Sequence, residues 1–187
     1  RMQPDHPVEQ VSWNDVVEYI NGLNKLSQSN DHRVQEVLKR LIPGHQRGDI
    51  YDLPTEAQWE FVMRNRGQAE KQYFDRDDAK DLAPHAWHYS NSNSQTHEVA
   101  TRQPRMIDGK PFYDLEGNVW EWNKDSWDGS SPLPGGKDPI GTSGSFRVLR
   151  GGSWSTEDPY LLSGHRGGYD PGVRGNLVGF RLVRTRP

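Results

Sequence analysis

No cysteine occurs anywhere in the 187 residues. That absence excludes disulfides, thiolate metal sites and thiol nucleophiles, while leaving the compartment open. Apolar residues are scarce too, at 32%, and no apolar run approaches the ~20 residues a membrane span requires. There is no basic excess. A net charge of −3 gives no bulk attraction to nucleic acid. No signal peptide is visible at Arg1, and the abrupt start is compatible with a leader or anchor ahead of it.

What is plentiful sets the class. Seven Trp, seven Tyr and five Phe supply aromatic area for a core despite a mean hydropathy of −0.99, which argues against disorder. The length suits one domain. Nineteen Gly and thirteen Pro predict much loop and turn, short strands and few helices.

Ser12 or Asn14 is the expected N-cap of a first helix, whose apolar stripe is Val16, Ile20, Leu23 and Leu26. A second, shorter helix is expected over Val34–Ile42, stopped by Pro43 and Gly44. Thr55 and Gln58 have capping-box spacing. They predict a third helix ending near Gly67, with Trp59, Val62 and Met63 inward. Residues 68–81 read as a solvated loop. Short strands are expected at Ala86–Tyr89 and Glu98–Ala100, around a Ser/Asn-rich turn. Phe146–Trp154 reads as a strand with a Gly-Gly kink, and Val178–Val183 as the last strand.

Four segments in order carry a resemblance: Pro7–Trp13 (PVEQVSW), Leu53–Glu60 (LPTEAQWE), Asp114–Trp122 (DLEGNVWEW), and Arg150–Trp154 (RGGSW) with the closing Gly179–Arg181 (GFR). Together they resemble the formylglycine-generating-enzyme, or sulfatase-modifying factor, family. The resemblance spans nearly the whole chain, 1–187, with 29–48 expected to be an insertion. It implies an α+β, C-type-lectin-like fold with few short strands, two main helices and much ordered loop.

Oxidases of that family bind copper through two cysteines, which fall by register at Thr156 and Leu161. Neither side chain offers the soft thiolate that Cu(I) prefers, so no copper and no formylglycine chemistry are expected. The seven His include no His-x-x-x-His or His-x-His pair, and His85 and His88 lack an evident third ligand. The resemblance also implies a structural calcium. Its ligands would be the side chains of Asp114 and Glu121 and the carbonyls of Gly117 and Val119, hard oxygens on a curved backbone. The alternative is a hydrogen-bonded loop without an ion. Paired-carboxylate catalysis by Glu56, Glu60, Glu116 and Glu121 has no support, because the sequence gives no separation between them. Trp120, Trp122, Trp127 and Trp154 are expected mostly in the core, with Trp122 and Trp127 partly exposed.

The functional expectation centres on residues 155–177, rich in Tyr, Ser, Gly, Asn, His and Arg, as adaptable recognition surfaces are. The candidate ligand-binding residues are Ser155, Thr156, Tyr160, His165, Tyr169, Asp170 and Asn176, with Arg166 and Arg174 bracing the loop. Similar proteins diversified by retroelements vary positions that would fall at His165, Gly167, Gly168, Tyr169, Asp170, Val173, Gly175 and Asn176. The expectation is a non-catalytic binding or regulatory module for a protein or cell-surface ligand. Its setting would be a bacterial secretion or signalling system such as type VI secretion, or a diversified receptor-binding protein, outside the cytoplasm at the periplasm or cell surface. The competing reading is a periplasmic tailoring enzyme, which needs a pocket near Ser153, Thr156, His165 and Arg166. Sugar binding through an exposed calcium is weaker.

Overall fold

The computed structural model describes residues 4–67 and 82–187, so the loop expected at 68–81 lies outside the described residues. Helix α1 (Trp13–Ser27) opens on a capping box: Ser12 accepts from the Asp15 amide, and Asp15 accepts from the Ser12 amide. Ser12 is therefore the cap, not Asn14. Val16, Ile20 and Leu23 face inward as the periodicity requires, but Leu26 is exposed. Helix α2 (His32–Leu41) starts two residues earlier than its apolar pattern, because Asp31 caps it. Strand β1 (Ile50–Asp52) leads into helix α3 (Glu56–Met63). The expected Thr55–Gln58 box is formed. The helix stops short of Gly67, because Asn65 and Arg66 already turn with positive φ.

Neither strand expected between 86 and 100 forms. Trp87 makes a single bridge to Gly117, and Ala100 has φ of 59°. A hairpin appears instead, β2 (Arg105–Ile107) with β3 (Lys110–Phe112). Its turn is Asp108-Gly109 with φ of 52° and 73°, the chemistry of a tight hairpin.

The main sheet has strand order β6 (Gly167–Tyr169), β5 (Phe146–Arg150), β4 (Trp120–Trp127) and β7 (Val178–Gly179). The first three are antiparallel, and β7 lies parallel to β4. The single strand expected over Val178–Val183 is thus two. Arg181 leaves the sheet to meet Glu121, and β8 (Val183–Thr185) pairs with β1. The expected break after Arg150 is real, with φ of 94° and 75° at Gly151 and Gly152. A bulge in β4 between Trp122 and Ser126 turns Asn123 and Asp125 inward, both fully buried. Asp125 accepts from the amides of Glu56 and Gly141, which joins β4 to the start of α3.

The core gathers around Val16, Ile20, Leu53, Trp122, Leu149 and Val178. Trp122 is fully buried and donates to the Val11 carbonyl. Its expected exposure is overturned, because the N-terminal segment supplies the acceptor its indole needs. The architecture is α+β: three helices and eight short strands among the described residues, joined by ordered loops.

Candidate binding surface

An ion cluster underlies the 155–177 segment. Glu56 on α3 is buried and grips Arg166 in a two-point pair, Nε–Oε1 2.6 Å and Nη2–Oε2 2.7 Å. Arg150 on β5 is fully buried, donates to Glu60, and lies 3.5 Å from Glu56. Its other nitrogen donates to the His165 carbonyl at 2.8 Å. Two guanidiniums and two carboxylates therefore balance in a water-poor space, and together they fix the backbone at 165–166. Arg166 also stacks on the half-buried Trp127, 4.4 Å from the ring centroid. At the far end of the segment Arg174 pairs with Asp15, and the carbonyls of Pro171 and Gly175 accept from Asn14 and Gln10. Both arginines brace the segment as the sequence led us to expect.

Above this base lies an aromatic group. The His165 ring sits 5.6 Å from Trp120 and 5.6 Å, edge-on, from Tyr160. Gly167 lies against the Trp120 ring, where a Cβ would stand in ordinary contact at 3.5 Å. Burial, and then the nearby Arg150 charge, hold the His165 pKa below its ordinary value, which favours the neutral ring. Tyr160, Tyr169, Asp170 and Asn176 are exposed. Trp154 donates to the Asn176 carbonyl, fixing that end of the surface.

The candidate residues do not all converge. Tyr160 and His165 meet. Tyr169 stands opposite Arg147 across the β6 edge, and Asp170 caps its own turn by accepting from Gly172. Ser155 and Thr156 fold back on buried Ser153: the Ser153 amide donates to the Thr156 hydroxyl, and the Ser155 amide faces the Ser153 hydroxyl. The missed member is Trp120, which reads as core from its neighbours in sequence. Tyr89, 64% exposed, is tied to the same surface by its backbone N–H, which donates a hydrogen bond to the Thr156 carbonyl.

Three cavities, of about 430, 280 and 270 Å³, are lined by other residues than Tyr160, His165, Tyr169, Asp170 and Asn176. Leu161 is buried against Leu82 and Ala86. With Thr156 engaged by Ser153, the two positions that carry thiolates in the oxidases present no soft donor, and the set does not fit copper.

In the loop Asp114–Glu121 a candidate carboxylate for a hard cation, Glu121, is already engaged. Glu121 is held by Arg181 through both oxygens, at 2.7 and 2.6 Å, and accepts the Trp59 indole as well. Arg181 further donates to the carbonyls of Tyr113 and Asp114. Asp114 accepts from Ala100 through Oδ2, and its buried Oδ1 has no hydrogen-bond partner. A guanidinium thus already serves Glu121, and one carboxylate oxygen with the carbonyls of Gly117 and Val119 is too small a set for calcium. The arrangement does not fit the ion. No group of three His, Cys, Asp or Glu that could hold a metal occurs among the described residues.

The model of the sulfatase-modifying factor enzyme 1-like domain matches residues 1–186. The chain belongs to this family. It is 30% identical over 170 residues to the formylglycine-generating enzyme of Bos taurus, covering 84% of this chain and 37% of that enzyme. It therefore spans little more than a third of that relative. Among solved structures, Treponema denticola variable protein 1 superposes with a TM-score of 0.75 at 31% identity, over 100% of this chain and 73% of that one. PvdO from Pseudomonas aeruginosa gives 0.71 at 26%, over 98% and 64%. Within this family the chain lacks the cysteines that formylglycine chemistry uses.

Proposed function

We propose that this family member is a non-catalytic binding module whose 155–177 surface recognises a protein or cell-surface ligand. The observation that carries the reading is the Trp120–His165–Tyr160 group, partly exposed and held on a buried ion-pair base. Rigid aromatics flanked by small polar residues give contact area at low entropic cost. The polar groups an enzyme would need near Ser153 are turned elsewhere: Ser153 is buried, Thr156 faces it, and Arg166 is consumed by Glu56. Likeness to a protein designated variable supports a diversified recognition role, with exposed Tyr169, Asp170, Val173 and Asn176 as the adjustable positions. The setting proposed is extracytoplasmic, as a receptor-binding protein or an accessory to a bacterial secretion or signalling system. No helix among the described residues is long and apolar enough to cross a membrane.

The test is a pull-down from envelope fractions, with a Tyr160/His165/Tyr169/Asp170→Ala variant beside the parent. A partner that binds the purified parent and is lost with the variant supports the surface. An unchanged set of captured proteins sinks it.

A further inference from the structure

Helix α2 presents an apolar face to solvent although the chain has few apolar residues. Val34, Val37, Leu38 and Leu41 recur at helical spacing. Only Leu38 is buried, while Val37 is 43% and Leu41 67% exposed. On α1, Leu26 is 48% exposed beside them. Leu26, Arg33, Val34, Val37 and Leu38 line a groove of about 270 Å³. That volume takes one large apolar side chain.

Polar bonds join the Leu38 core contact in holding this helix in place. The Gln35 amide donates to the carbonyls of Leu26, Ser27 and Ser29, where α1 ends. Its oxygen meets His45 Nε2 at 3.1 Å, and His45 Nδ1 meets the Tyr51 hydroxyl at 2.7 Å. The Gln35 oxygen can only accept, so His45 Nε2 donates in that contact. Arg184 adds a bond to the Pro43 carbonyl. Gln35 and His45 are buried, and Leu38 with Val34 packs on Leu23 and Tyr51, so α2 is locked in an orientation that leaves Val37 and Leu41 outward.

The rim of this face is basic. Residues 29–48 carry four Lys/Arg against two Asp/Glu in a chain whose net charge is −3. Arg40 lies beside the stripe by helical position, and neither it nor Lys39 has an ion-pair partner among the described residues. Arg33 has only a distant contact to Asp31, 3.8 Å, with both side chains largely exposed. Arg186 adds positive charge next to Gly44, where Arg184 is already paired with Asp49 at 3.6 Å.

We infer that this groove docks a short acidic, amphipathic segment of a partner protein. One Leu or Phe fills the cavity between Leu26 and Val37, a second apolar residue covers Leu41, and flanking carboxylates meet Arg33 and Arg40. A buried apolar anchor with a charged rim is the anatomy of peptide-in-groove recognition. The face lies at the C-terminal end of α1, whereas the 170–176 loop ties to its N-terminal end, about 20 Å away along the helix. The two sites are independent.

The probe is a phage-displayed 12-residue peptide library selected on the immobilised chain. Val37→Glu/Leu41→Glu serves as counter-selection, and because both positions are exposed the variant keeps the parent's circular dichroism and Tm. The expected peptides carry Leu or Phe three or four residues apart among Asp and Glu. Synthetic copies lose at least about tenfold in affinity on the double variant. They lose a similar amount on Arg33→Glu/Arg40→Glu, and that second loss shrinks as salt screens the charges. The inference is overturned by peptides of another composition, by no selected peptide, or by binding indifferent to both variants. It is equally overturned by binding to phosphatidylserine vesicles in place of peptides, or by self-association through Leu41 in light scattering.

Discussion

Replacing Glu56 with Gln removes one charge from the base of the candidate surface and keeps its shape. In the folded chain Glu56 answers Arg166 through both oxygens and stands 3.5 Å from the fully buried Arg150. Without it, two guanidiniums share Glu60 alone, and Glu60 also serves Arg64 at the surface. Breaking a buried pair from one side costs about 3–5 kcal/mol, because the surviving charge keeps its desolvation penalty. For a domain of this size each kcal/mol lowers Tm by roughly 2–4 °C, so a fall of about 6–20 °C is expected. The effect has a location as well as a size. Arg150 holds the His165 carbonyl and Glu56 holds the next residue, Arg166, so amide exchange at 163–170 should accelerate more than in α1. Denaturant melts and hydrogen-exchange mass spectrometry read the two halves. Glu60→Gln is the control and should cost less, because Glu60 is partly exposed. A loss under about 1 kcal/mol for Glu56→Gln, where breaking a buried pair should cost several, or exchange that rises evenly over the chain, would refute the reasoning that this cluster organises the surface.

Burial raises the Asp114 pKa, against a smaller pull from the Ala100 amide and Arg181. A carboxyl with a raised folded pKa weakens the fold above that pKa, and the penalty fades as pH falls through it. Asp114→Asn should therefore raise Tm at pH 7, with the gain shrinking toward pH 4. Millimolar calcium should leave Tm unchanged in the parent, because Arg181 already holds Glu121; a calcium-dependent rise lost in Asp114→Asn would show an ion at that loop. Gly117→Ala should cost at least about 3 kcal/mol in a urea melt. Gly117 has φ of +77°, and a Cβ there would stand 2.1 Å from the Trp87 carbonyl oxygen.

Local chemistry was legible wherever a signal and its partner lie within one turn. The Thr55–Gln58 box starts α3 as expected, and Ser12 caps α1 through Asp15, three residues on. The Asp108-Gly109 turn was equally readable and would have announced the β2–β3 hairpin. The four motif segments carried the family, and the family carried the fold. The zero cysteine count leaves no thiolate ligand in this sequence.

Tertiary structure decided whatever depends on partners far apart in sequence. Trp122 and Trp120 are two residues apart on one strand. One is buried where the Val11 carbonyl reaches its indole, and the other meets the His165 ring that the 161–166 loop brings to it. Glu56 and Glu60 looked like helix-surface carboxylates until β5 and the 161–166 loop brought Arg150 and Arg166 to them. Glu121, a candidate either for an ion or for a hydrogen-bonded loop, is held by Arg181 sixty residues away. Periodicity put Leu26 on the apolar stripe of α1, but only the placement of α2 left it at the mouth of a groove. Capping and turn preferences belong to a few neighbouring backbone groups, so the sequence alone determines them. The burial of a side chain and the partner of a charge depend on which distant segment packs over them, so only the folded chain determines those.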